Sequence, residues 1–148
     1  MNNSLLKDEN ILLDVEAQNW QETIRKAAKP LLDDGSIEPC YVEAMINSIL
    51  QYGPYIVIGK GVALAHARPE EGVNKLGYSV MILKEPVTFN HETNDPVSVV
   101  FCLAAIDNQS HLEILSLIVN LLNYEGKLEK LSNVKSIQEC KEILFSEM

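Results

Sequence analysis

The sequence predicts an α/β fold, a mixed sheet of about five strands flanked by helices and forming a single domain over residues 1–148. Three observations predict it. Short apolar strand-like segments interleave with helical patterns along the chain. Residues 97–106 are almost continuously apolar, as expected of a central strand covered on both faces. The helical segments carry start and stop signals at their ends. A chain of 148 residues buries enough of its surface for one such core.

Taken in order, residues 10–17 mix apolar and acidic positions and suit an edge strand. Asn19 and Glu22 then form a capping box for a helix whose stripe is Trp20, Ile24, Ala27, Ala28, Leu31 and Leu32, with Gly35 as terminator. Pro30 removes a backbone donor inside that pattern, so a kink or an early end is expected there. A second helix spans 39–52, with Pro39 in its first turn and Val42, Met45, Ile46, Ile49 and Leu50 on one face. Residues 55–58 and 62–65 read as short strands around a Gly59-Lys60-Gly61 turn, whose spacing is wrong for a nucleotide loop. Strands follow at 78–83 and 97–106, separated by a polar loop at 88–96. A long helix runs from Ser110 to Asn123, and shorter ones at 125–131 and 136–145.

The net charge of −9 argues against nucleic acid as a partner, because such binding rests on neutralising phosphates with Lys and Arg. The three cysteines form no Cys-x-x-Cys pair, and Cys102 and Cys140 fall in apolar patterns as small core residues. Residues 1–4 lack the basic flank and apolar core of a signal segment, and no apolar run reaches spanning length, so a cytoplasmic location is expected.

Chemistry concentrates in residues 61–72. His66 follows a short apolar strand, Arg68 lies two residues on, and Glu70 and Glu71 precede Gly72. Imidazole is nucleophilic when neutral and a good leaving group when protonated, and guanidinium offers planar donors to phosphate oxygens. The pair suggests phosphoryl relay through His66, although a lone histidine at a strand end is more often a hydrogen-bonded structural residue. A second element is Ser110-His111-Leu112-Glu113, read as a capping box with Ser110 as N-cap. It places His111 in the first helical turn, where free amides and the helix dipole favour an anion. Asp107, Asn108 and His111 then leave the end of the central strand together. If the 62–65 strand is its parallel neighbour, His66 arrives at the same edge. His91 shares its loop with Asn90, Glu92 and Asp95, but no histidine pair has the spacing of a metal-binding helix, so no metal and no cofactor is expected. Asn90 and His91 are candidates for one rim of the pocket.

Four stretches resemble a known family: Gly53-Pro54-Tyr55, residues 61–73, residues 89–97 and residues 104–111. In this order and separation they resemble the mannitol/fructose-type enzyme IIA components (EIIA type 2) of the bacterial phosphoenolpyruvate-dependent sugar phosphotransferase system (PTS), nearest the ascorbate-specific branch. The resemblance implies that His66 is the phosphorylated residue and His111 its partner in stabilising the phosphoryl group. It implies phospho-HPr as donor, a cysteine of a cognate IIB as acceptor, and a membrane IIC permease as the indirect beneficiary that reads the sugar. Arg68 is then a candidate phosphate ligand. Asp107, Ser110, Glu70 and Glu71 become candidates for the rim or support of the site, and the segment from Leu64 through the loop to Gly72 part of a docking surface.

The chain departs from the family pattern in two places. Ala65 and Ala67 flank His66 where Pro-His-Gly is common, and the arginine that mannitol-type members carry near the position of Ser48, on the second helix, is missing. The second departure points away from the mannitol branch and leaves Arg68 as the guanidinium near the site. Two other functions compete: a nitrogen-type IIA protein that regulates by phosphorylation-dependent protein binding, and a hydrolase using the histidines with a metal or water.

Overall fold

In the computed structural model, which describes residues 6–124 and 126–145, five strands form one mixed sheet with helices on both faces. The strands are β1 (Ile11–Val15), β2 (Val57–Gly59), β3 (Val62–Ala65), β4 (Gly77–Val87) and β5 (Val97–Ala104), in the spatial order β1-β4-β5-β3-β2. β5 is the central strand, as its apolar run predicts, and β1 is an edge. β5 runs antiparallel to β4 and parallel to β3, with Leu64 opposite Phe101 and Ala65 opposite Cys102.

Alternation along β5 divides the core. Val100, Cys102 and Ala104 face one layer, made by α1 (Trp20–Asp33) and α2 (Pro39–Tyr52). Val99, Phe101 and Leu103 face the other, made by α3 (Asn108–Asn123), α4 (Lys127–Ser132) and α5 (Ile137–Phe145). Cys102 and Cys140 are both buried, whereas Cys40 is exposed.

Several boundaries move, each for a local reason. Pro30 neither ends α1 nor shortens it, and the helix continues to Asp33. Pro30 is itself buried beside Ala27, Ala28 and Leu31, and burial of that face offsets the lost backbone bond. The 55–58 strand shifts to Val57–Gly59 because a turn after Gly53, closed by the Val57 amide on the Pro54 carbonyl, occupies Tyr55. β4 extends beyond the predicted 78–83 through exposed Lys84, Glu85 and Pro86 to buried Val87, with a register shift after Ile82. β5 ends at Ala104, so Ala105 and Ile106 leave the sheet. Of the 125–131 segment, Glu125 lies outside the described residues, and α4 starts at Lys127.

The largest correction concerns α3. It starts at Asn108, two residues before Ser110, and its N-cap is Asp107, whose Oδ1 accepts from the Ser110 amide at 2.8 Å. Asp107 is the first residue after β5 with a carboxylate that can reach back over the turn, so it takes the role assigned to Ser110.

Candidate functional site

Because β3 and β5 are parallel neighbours, their carboxyl ends open at the same edge, and the segments leaving them carry His66 and His111. The two imidazoles meet edge to face with centroids 5.3 Å apart. Tyr55, from the turn before β2, also meets His66, with centroids 5.8 Å apart and the rings nearly perpendicular. His66 is half-buried.

The Nδ1 of His66 lies 2.8 Å from the Leu64 carbonyl oxygen. A carbonyl only accepts, so Nδ1 carries the proton and the lone pair of the neutral ring resides on Nε2. Burial lowers the His66 pKa below the ordinary histidine value of 6.5; the Leu64 carbonyl opposes this, and His111 adds to it. At neutral pH the ring is therefore an uncharged base with one nitrogen spoken for.

An open cleft surrounds the pair. Arg68 and Glu71 wall one side, Ala105, Ile106 and Asp107 another, and α2 the third through Cys40, Glu43, Asn47, Ser48 and Gln51. The polar face of α2 escaped the sequence reading, although Cys40, Glu43, Asn47 and Gln51 recur at three- and four-residue spacing opposite the apolar stripe. Tyr41, fully buried, was also missed as a site residue. Its hydroxyl oxygen accepts from the Ala67 amide at 2.9 Å, and the hydroxyl has two carbonyl acceptors in reach, Leu103 at 2.9 Å and Ala67 at 3.1 Å.

The remaining sequence candidates divide. Arg68 is exposed on the cleft wall, and Asp107 lies at the cleft mouth as the cap of α3. Its carboxyl is held below the usual carboxylate range by the Ser110 amide and hydroxyl, while burial opposes the shift. Ser110 is buried, does not line the cleft, and donates its hydroxyl to the Asp107 carbonyl at 3.1 Å. His111 sits at the fourth position of the helix, and its amide already faces the Asp107 carbonyl at 3.4 Å, so it offers an imidazole and no free amide. Glu71 joins the wall but Glu70 does not. Leu64 and Ala65 are buried in the sheet and present no docking surface. Tyr52, Tyr55 and Ile106 line the cleft and are the large apolar side chains exposed there.

His91 stands apart. The Thr93 and Asn94 amides donate to its Nδ1 at 3.2 and 3.0 Å, and its own amide donates to Asp95 Oδ2 at 2.9 Å. Neither Asn90 nor His91 lines the cleft, so the expected rim role is not what the geometry gives them. Among the described residues, no group of three His, Cys, Asp or Glu side chains converges as a metal site would need.

The sequence model of the family described as "Phosphoenolpyruvate-dependent sugar phosphotransferase system, EIIA 2" matches residues 4–147. The chain belongs to this family. As an EIIA family member it is 39% identical over 145 residues to the ascorbate-specific PTS EIIA component of Salmonella choleraesuis, covering 97% of this chain and 94% of that protein. Identity to the Escherichia coli K12 ascorbate-specific component is 38% over the same coverage. Among solved structures, enzyme IIAMtl in a complex with phosphorylated enzyme IIBMtl from Escherichia coli superposes with a TM-score of 0.84. It is 31% identical, with 97% of this chain and all of that chain covered. The EIIA fold, with its mixed five-stranded sheet and flanking helices, is thus the one this sequence adopts. No helix among the described residues is long and apolar enough to cross a membrane.

Proposed function

We propose that this EIIA protein is a phosphocarrier that accepts a phosphoryl group from phospho-HPr on Nε2 of His66 and passes it to a cysteine of a cognate IIB, in support of uptake of ascorbate or a related sugar through a IIC permease. The observation that carries the proposal is the bond between His66 Nδ1 and the Leu64 carbonyl. It selects the tautomer whose free lone pair is on Nε2, beside His111 in an open cleft. In the forward step that lone pair forms a P–N bond as the bond to the donor breaks. In the second step the IIB thiolate displaces the imidazole, which leaves with its Nδ1 proton still held.

His111 and Arg68 supply donors and positive charge to the phosphoryl oxygens as charge develops. Asp107 and Glu71 give the cleft an acidic border suited to a basic donor, and exposed Tyr52, Tyr55 and Ile106 give it apolar contact area. The whole described chain acts as one EIIA unit in this scheme. The ascorbate-specific relatives at 38–39% identity favour this role over the nitrogen-regulatory one.

The test is transfer of label from phosphoenolpyruvate through enzyme I and HPr to wild type, His66→Ala and His111→Ala. Expected is acid-labile, base-stable label on wild type and none on His66→Ala. His111→Ala should be labelled about 100-fold more slowly, the usual scale for losing one donor to developing charge. Label persisting on His66→Ala would place the carrier elsewhere.

A further inference from the structure

The parallel ladder between β3 and β5 stops short of its natural end, and a side chain takes the place of the next rung. Gly61 O accepts from the Ser98 amide at 2.8 Å and the Val99 amide at 3.2 Å, and the Val99 bond, with Val62 opposite Val99, sets the odd-numbered residues of the β3 segment as those that bond to β5. Continuing the observed register, in which Ala65 lies opposite Cys102, the next bond would run from the Ala67 amide to the Leu103 carbonyl. Those are the two groups that meet the Tyr41 hydroxyl instead, each at 2.9 Å. One direct bond of about 2.9 Å is replaced by two in series, so the strand ends stand apart where a ladder would draw them together.

We propose that the Tyr41 hydroxyl is a positioning group for transfer at His66: inserted between Ala67 and Leu103, it sets the separation of the two strand ends that lets His66 face His111. This rests on the phosphocarrier reading of His66. Three features make the insertion specific. The peptide it grips joins His66 to Ala67, and Ala65 and Ala67 impose neither the rigidity of proline nor the freedom of glycine on His66. The far end of the same loop also rests on Tyr41. Gly72 has φ of +138°, and a Cβ there would come within 2.9 Å of the Tyr41 Cβ, so the loop is clamped to one tyrosine at its start and its return. Burial raises the phenol far above its ordinary value, so the hydroxyl keeps its proton and remains both donor and acceptor.

Tyr41→Phe retains the ring and removes only the wedge. Tyr78→Phe is the matched control. Tyr78 is equally buried, but its hydroxyl has no hydrogen-bond partner among the described residues. Leu131→Ala, in α4 on the opposite face of the sheet, supplies a destabilised protein with an intact site. In transfer from phospho-HPr, Tyr41→Phe should lower kcat by roughly 10–100-fold with KM changed less than about 2-fold, the scale of a small misplacement of reacting groups. In nitrogen-15 spectra of the unphosphorylated protein, His66 of Tyr41→Phe should lose its exclusive Nδ1–H tautomer, while both controls retain it. Wild-type spectra should show a slowly exchanging Tyr41 hydroxyl proton close to the Ala67 amide, a readout that does not depend on any variant folding. Tyr41→Phe matching Leu131→Ala in kcat and in its His66 spectrum would overturn the proposal, as would absence of that hydroxyl contact in wild type. If wild type accepts no phosphate at all, the phosphocarrier reading fails. The His66 spectra and the wild-type hydroxyl contact then still decide whether Tyr41 positions the ring.

Discussion

His66 and His91 occupy similar settings, each half-buried in a loop that leaves or joins the sheet, yet their Nδ1 atoms do opposite things. At His66, Nδ1 donates to the Leu64 carbonyl and Nε2 is left with the lone pair. At His91, Nδ1 accepts from two amides, Thr93 and Asn94, so its lone pair is committed to shaping the loop and Nε2 carries the proton of the neutral ring. One arrangement exposes a base beside a second imidazole, and the other consumes the base. The difference comes from whether a carbonyl or an amide faces the ring, so histidine content alone does not tell which ring keeps a free base.

The largest expected contrast between the two loops is covalent. Only His66 should carry label, and His91→Ala should be phosphorylated at close to the wild-type rate. Label lost equally in both variants would erase the distinction. The pH dependence of acceptance tests the His66 side of the comparison. Acceptance needs neutral imidazole, and burial depresses the His66 pKa, so the rate should hold as pH falls through about 6.5 and decline only below it. The same sign applies to stability. Between the unfolded and folded pKa values of His66 the unfolded chain binds the extra proton, so its contribution is present above the unfolded value and shrinks as pH falls towards the folded one. A rate that halves at pH 6.5 or above would contradict the depressed pKa.

Smaller effects test what each loop is for. His91→Ala removes the acceptor of two amides in a partly exposed turn and should cost about 1 kcal/mol in chemical denaturation, where a histidine making no such bonds would cost little. Asp107→Ala should cost about 1 kcal/mol through loss of the α3 cap. Ser110→Ala should cost less in the same denaturation assay, since Ser110 is not the cap. The reverse order would restore Ser110 as the start of the helix.

The sequence was most informative where burial is periodic. The apolar run of β5, the stripe of α2 and the Asn19–Glu22 start of α1 are legible because each depends on side chains a few residues apart. It was less so where the outcome turns on competition between close alternatives. Pro30 survives in α1 because its neighbours are buried, and Asp107 displaces Ser110 as cap because the chain leaves β5 two residues early. Of the candidate site, the two histidines and the arginine that line the cleft were legible, while the α2 face and Tyr41 were not.

By itself, then, the sequence determined the α/β class and the central strand through local pattern, while family resemblance implied the His66–His111 pairing and the parallel β3–β5 ladder delivered it. Only the tertiary structure decided that His66 is the histidine with an available Nε2 and that His91 is not. It also decided that a tyrosine from another helix stands between the strands that bring the pair together. Tautomer, burial and inserted hydroxyls depend on which groups from distant parts of the chain come within about 3 Å of one another, and no spacing along the sequence encodes that distance.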